Sequence, residues 1–316
     1  MRALLVVNPR ATTTTERSRD VLVRALSSAV ELSVAYTERR GHATRLARDA
    51  AESGVDVVVT LGGDGTVNEA VNGLLTAPAA LADLPGPIAD RLPALAVVPG
   101  GSTNVFARAL GMPGDWADGT SVILDGLRDG RHRVIGLGRA DDRYFTFTAG
   151  IGWDAATIRR VEQARMRGRT STPALYMRST VSQFFLGMDR ADPPLTLERP
   201  GETPATELST VIVQNTAPWT YVGDRPVHLN PDASFDLGLD VAALRRLTIP
   251  GSARTVTQLA WRARDPRGKQ VLRLHDITEF TVVASRPQAF QLDGDYLGER
   301  QKVHFVSVPS ALRVIC

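Results

Sequence analysis

The chain has 316 residues, 43% of them hydrophobic and 22% charged, which is enough to bury a substantial core, suggests two domains and argues against a disordered chain. Its formal net charge is only +3, and its one cysteine, Cys316, excludes an internal disulfide or a thiolate metal cluster. The apolar start at residues 4–7 is too short for a secretory signal, and no run approaches the roughly 18 apolar residues of a membrane span, so a cytoplasmic protein is expected.

In chain order, residues 4–7, 32–36, 55–61 and 94–98 read as strands, and residues 42–53, 67–75 and 105–110 carry helical spacing between or after them. Alternation of this kind predicts a parallel sheet built from βα units. Residues 76–93, with four prolines, read as a long surface loop. A helix over 117–128 ends at Asp129-Gly130, where the character of the chain changes. Beyond it, strand-like runs follow at 134–137, 144–148, 208–213, 239–243, 277–284, 303–308 and 312–315, with helical stretches at 153–169, 174–188 and 253–264. The expected architecture is an α/β domain over residues 1–130 and a mainly antiparallel, β-sandwich-like domain over 131–316, its last strand free to return to the first domain.

The densest chemical signal is Thr60-Leu61-Gly62-Gly63-Asp64-Gly65-Thr66-Val67-Asn68-Glu69, where a buried strand hands over to a helix. Three glycines let backbone N–H groups close on a polyphosphate, and the helix start adds the positive end of its dipole. A second strand-to-helix loop, Val98-Pro99-Gly100-Gly101-Ser102-Thr103-Asn104, repeats this chemistry at the same sheet edge. Two readings of Asp64 stand open: a turn or helix cap, or a carboxylate holding Mg²⁺ against phosphates. Asp293-Gly294, taken alone, reads first as a hairpin turn. The histidines lack metal-ligand spacing, and Ser102 and Thr103 lack an evident histidine partner, which argues against a nucleophilic hydrolase.

These two loops, with the early Asn8-Pro9 and the later Gly150-Ile151-Gly152-Trp153-Asp154-Ala155, resemble the diacylglycerol kinase catalytic domain, shared by bacterial diacylglycerol kinases and by sphingosine and ceramide kinases. The resemblance implies a nucleotide-binding domain like those of phosphofructokinase and NAD kinase, and ATP-dependent phosphorylation of a diacylglycerol-like lipid to phosphatidic acid, with ATP and Mg²⁺ bound. It places Asn8, Pro9 and Thr37 around the nucleotide, Gly62, Gly63, Asp64, Gly65, Thr66, Val67 and Asn68 around the phosphates, and Gly101, Ser102, Thr103 and Asn104 in the second loop. Asp293-Gly294-Asp295 matches the family's Asp-Gly-Glu, so the general base is expected at Asp293, with Asp295 as the alternative; Asp64 and Asp236 are the expected metal ligands. Three departures stand out: Arg10-Ala11-Thr12 after Asn8-Pro9 lacks the usual glycine, Asp295 replaces Glu, and Leu237 follows Asp236 where Gly is usual.

The implied partner is a lipid in the inner membrane face, reached by peripheral contact. Arg159, Arg160, Arg165, Arg167, Arg169 and Arg178 could rest on anionic lipid, or form a solvated helix face. Trp219-Thr220-Tyr221 reads equally as an interfacial anchor, a wall of the acyl cleft or core. No nucleic-acid partner is expected, and a homodimer is left open. The rival functions are a kinase for sphingoid or other lipids, an NAD kinase, and a catalytically silent lipid or nucleotide binder.

Overall fold

The computed structural model describes residues 1–12, 15–76, 87–166, 192–245 and 268–316. The helices expected over 174–188 and 253–264, the tail of the one over 153–169, and residues 77–86 of the expected surface loop lie outside the described residues. The chain divides into two compact units, Met1–Leu137 with Val308–Cys316, and Gly138–Ser307.

The first unit runs β1 (Arg2–Val7), α1 (Glu16–Ser27), β2 (Glu31–Tyr36), α2 (His42–Glu52), β3 (Val57–Gly62), α3 (Asp64–Leu75), α4 (Ile88–Arg91), β4 (Ala94–Pro99), α5 (Val105–Ala109) and α6 (Trp116–Asp129). Its strands are parallel in the order β2-β1-β3-β4, and the chain's last residues add a parallel strand beside β4 through Val314↔Leu95 and Ile315↔Ala96. Every residue of β3 and β4 is buried, as expected of inner parallel strands covered on both faces, whereas edge strand β2 is largely exposed. Helix α1 had no counterpart among the expected elements. It starts at a capping box in which Ser18 N–H donates to Thr15 Oγ1 and Thr15 N–H donates to Ser18 Oγ, and it buries Ser18, Leu22 and Leu26 at a four-residue interval. Helix α6 starts at Asp115, whose carboxylate accepts from Ala117 N–H and Asp118 N–H, and stops at Gly130 with φ 67°.

The second unit follows with β5 (Arg133–Ala140, whose first residues belong to the first unit), β6 (Arg143–Phe145), β7 (Thr148–Gly152), α7 (Trp153–Met166), β8 (Leu195–Glu198), β9 (Ala205–Leu208), β10 (Thr210–Gln214), β11 (Thr220–Val222), β12 (Arg225–Val227), β13 (Leu239–Leu244), β14 (Val271–Ile277), β15 (Glu279–Leu292) and β16 (Asp295–Ile315). Its main path, β14-β13-β10-β7-β15-β16, is antiparallel throughout. One core gathers Ile151, Leu195, Val211, Val241, Val282 and Leu292 around Phe280 and Phe305, whose rings stack 5.0 Å apart. Alternation along β15 sends Phe290 and Leu292 into this core, while Ala289 packs with Ala155 and Ala156 of α7.

Candidate active site

In the first unit, Gly62 pairs with Pro99 at the ends of β3 and β4, so both glycine loops leave the sheet side by side. They touch: a Cβ on Gly101 would lie 2.7 Å from Gly63 Cα, closer than any side chain tolerates. Gly100 N–H donates to the Gly62 carbonyl (2.9 Å). Asn104 closes the second loop in both directions, its Oδ1 accepting from Gly101 N–H and its Nδ2 donating to the Gly101 carbonyl, each at 2.8 Å.

Asp64 joins the two loops. Its Oδ2 accepts from Val105 N–H (3.0 Å) and its Oδ1 from Phe106 N–H (3.1 Å), so a side chain from the first loop caps the helix that the second loop opens. Glu69, five residues on, does the same for α2: its two oxygens accept from Gly41 N–H (2.7 Å) and Ala43 N–H (3.1 Å). Asn8 follows β1, donates its own N–H to Leu61 O (2.9 Å), and gives Nδ2 to Thr66 Oγ1 (3.1 Å). Thr37 N–H donates to Val7 O (2.9 Å). The run from Gly62 to Glu69 is therefore keyed to each neighbouring loop.

Helix α3 is 12 residues long and begins at Gly63 with no side-chain cap, so its positive end is left for an outside anion. Gly63, Asp64 and Gly65 are half-buried, Thr66, Val67 and Asn68 are buried, and Ser102 is exposed beside half-buried Thr103. Exposed Pro9 ends the cluster on the β1 side. A close-packed glycine cradle under an uncapped helix start fits a polyphosphate.

The two expected Mg²⁺ ligands stand in different surroundings. Both oxygens of Asp64 hold backbone N–H groups, Asp236 is exposed with its own N–H on Ser234 Oγ (3.3 Å), and among the described residues no three acidic, histidine or cysteine side chains gather as a metal site. Near Asp236 the buried acid is Asp240, which accepts from His275 Nδ1 (2.8 Å) and Asp276 N–H (3.1 Å). That hydrogen bond raises the His275 pKa against the small opposing effect of burial.

In the second unit, Asp293 and Gly294 join β15 to β16 as a two-residue hairpin turn, with Leu292 opposite Asp295 and φ of 47° and 82° at the two turn residues, the signs of a type I′ turn. Asp293 is 5% exposed. Its Oδ2 accepts from Thr146 N–H (2.7 Å) and Thr146 Oγ1 (2.8 Å), and its Oδ1 from Phe147 N–H and Thr148 N–H (3.0 Å each). Four donors fill the roughly four lone-pair sites of a carboxylate. Burial pushes this carboxyl's pKa up, and the four hydrogen bonds pull against it. Asp295, two residues on, is only half-buried.

Two residues without an assigned role in the sequence reading belong to this turn. Gln291, 1% exposed, accepts from Gly294 N–H through Oε1 (2.9 Å) and donates through Nε2 to Asp154 Oδ2 (3.1 Å). Asp154 lies in the first turn of α7, 7% exposed, its pKa raised to about 6 by burial against the opposing Gln291 hydrogen bond. The signals were an amide inside the short apolar run Ala289-Phe290-Gln291-Leu292 and an acid two residues after Gly150-Ile151-Gly152.

Of the arginines, Arg159 pairs with Glu299 (2.9 Å) and lies over the Tyr296 ring, while those from residue 167 onward are outside the described residues. Trp219 packs on Ile212, Leu229 and Ala242, which favours the core reading for this residue. No described helix is long and apolar enough to cross a membrane.

Residues 2–140 match the model of the diacylglycerol kinase catalytic domain, and that stretch carries both glycine loops. Relatives named diacylglycerol kinase include one from Staphylococcus epidermidis, 35% identical over 133 residues, and one from Bacillus subtilis strain 168, 37% identical over 133 residues. Each alignment covers 42% of this chain and only 37% and 39% of those relatives' lengths. The fold is shared over nearly the whole chain with the crystal structure of a Bacillus anthracis diacylglycerol kinase, at TM-score 0.72 and 21% identity over 99% of this chain and 96% of that one. A second structure from that organism gives TM-score 0.75 at 20% identity over the same shares.

Proposed function

We propose that the chain is an ATP-dependent kinase of lipid alcohols, transferring the γ-phosphoryl group to the hydroxyl of a diacylglycerol-like acceptor. The observation that carries this reading is the pair of glycine loops in contact at Gly63 and Gly101, locked by Asp64 beneath the uncapped start of α3. Phosphoryl transfer asks mainly for positioning and for stabilisation of charge on the transferring oxygens, which backbone N–H groups and a helix dipole supply. Mg²⁺ would enter with the nucleotide, whose phosphate oxygens supply part of its ligands.

The acceptor hydroxyl must lose a proton as it attacks, and the base we assign is Asp295. Asp293 could take a proton only by giving up one of its four hydrogen bonds, so it serves as the brace of the turn. Asp295 follows directly on that turn with part of its surface open. The lipid acceptor, peripheral contact with the inner membrane face and homodimerisation belong to the same proposal. The names of the relatives and the loops matched within residues 2–140 support the kinase reading.

The test is incubation with γ-labelled ATP and Mg²⁺ over a panel of mixed micelles carrying diacylglycerol, ceramide, a sphingoid base or monoacylglycerol, with NAD in a parallel tube. Label extracted into the organic phase with diacylglycerol is the expected result. Label only in NADP, or in no acceptor at all, contradicts it.

A further inference from the structure

Among the described residues, the second unit holds a buried side-chain pair that the reaction as described does not use, Gln291 with Asp154. Burying an amide in a packed strand is unfavourable unless both of its ends find partners. Here both do, and the partners fix which end points where: Gly294 N–H can meet only the oxygen, so the nitrogen must face the Asp154 carboxylate. The surroundings make room for this pair. Gln291 lies opposite Gly150 on β7, where an added Cβ would collide with Asp154 Oδ2 and come within 2.8 Å of Gln291 Nε2. On its other side Gln291 pairs with Tyr296, which packs against the cluster of Ala155, Ala156 and Ala289.

The turn is thus held at two points. Asp293 is tied by its carboxylate to Thr146, Phe147 and Thr148, and Gly294 is tied by its N–H to Gln291. A two-residue turn held only at its first residue could still tilt at its second, and the residue that follows is Asp295. We propose that Gln291, oriented by Asp154, is a positioning residue that fixes the direction in which the turn presents Asp295. This rests on Asp295 being the base, as assigned above. An apolar residue at position 291 would fill the same space, but it would leave the Gly294 N–H without its acceptor.

The experiment compares the wild-type chain with Gln291→Glu, Gln291→Met and the double variant Asp154→Asn/Gln291→Glu, reading kcat, KM for ATP and melting temperature at pH 8. Gln291→Glu sets two carboxylates against each other, and Gln291→Met removes both hydrogen bonds without adding charge. Each is expected to lower kcat by about tenfold to a hundredfold, the scale of a misplaced reacting group, with KM for ATP unchanged. The double variant exchanges donor and acceptor: the amide introduced at position 154 can donate to the carboxylate introduced at position 291, and Gly294 N–H still meets a carboxylate oxygen. It is expected to return kcat to within about threefold of wild type.

Singles that keep wild-type kcat, or a folded double variant no better than Gln291→Glu, overturn the proposal. If neither single variant folds, the double variant must both fold and turn over, and its failure counts against the proposal equally. A wild-type protein that phosphorylates no lipid overturns the functional reading instead. The dependence of the turn on Gln291 is then read from hydrogen exchange of the Gly294 amide, expected about tenfold faster in Gln291→Met; an unchanged rate overturns it.

Discussion

Ionising Asp154 in its buried position is costly, and the sign of that cost can be measured. Its pKa stands at about 6 in the fold against 3.8 for the free carboxyl, so the folded chain holds a proton that the unfolded chain has released between those values. Stability is therefore highest below pH 4 for this group, falls as pH rises towards 6, and above that carries a penalty on the order of 3 kcal/mol. Asp154→Asn, which can keep the acceptor for Gln291, is expected to be more stable than wild type at pH 8 by about 1–3 kcal/mol and no more stable at pH 4, measured by denaturant melts. A difference that does not change with pH would contradict this. At this scale the sequence showed which residues were unusual better than what they do. Asp64 and Asp293 both stood out, but their partners lie 41 and 147 residues away, and only the fold shows that one caps α5 and the other is filled by four donors. Gln291 and Asp154 stayed without a role because their pairing needs α7 laid against β15.

Elements were legible where hydrophobic periodicity was strong. β1 and β4 are apolar throughout their inner residues, β3 is so except for buried Thr60, and all three were expected, as was the stop of α6 at Gly130. Helix α1 was missed because its buried stripe is only Ser18, Leu22 and Leu26 amid charged residues, and its capping box uses Ser in place of the usual Glu or Gln. β15 is 14 residues long, and the expected run stopped at residue 284 because Ser285-Arg286-Pro287-Gln288 breaks the apolar alternation where the register slips, between Val283 and Gln288. The coupling between loops carries its own prediction. Asp64→Ala removes the cap from α5 and is expected to cost about 1–2 kcal/mol in thermal or denaturant unfolding. Because it also unlocks the two loops, the KM for ATP should rise. Gly101→Ala drives a methyl into the Gly63 backbone and should weaken nucleotide binding more than Ser102→Ala does, as measured by nucleotide titration. Equal effects of the two would contradict the close contact as the basis of the cradle.

For the molecule as a whole, β16 is the strand that ties the two units in sequence: residues before Val308 belong to the second unit, and those from Val308 to Cys316 complete the first. Leu312, Val314 and Ile315 are buried there, and losing three such side chains removes on the order of 5 kcal/mol, comparable with the whole stability of a domain. A chain ending at residue 307 is thus expected to lose ATP binding and the first unit's protection from hydrogen exchange. Retention of both would show that the β4 edge does not need its last neighbour. The most direct test of the central claim is the kcat for phosphoryl transfer to diacylglycerol by Asp295→Asn, with the nucleotide Kd taken on the same samples. The account predicts a fall of about a hundredfold or more in kcat with Kd within twofold of wild type. A kcat within about threefold of wild type would contradict the assignment of Asp295 as the base.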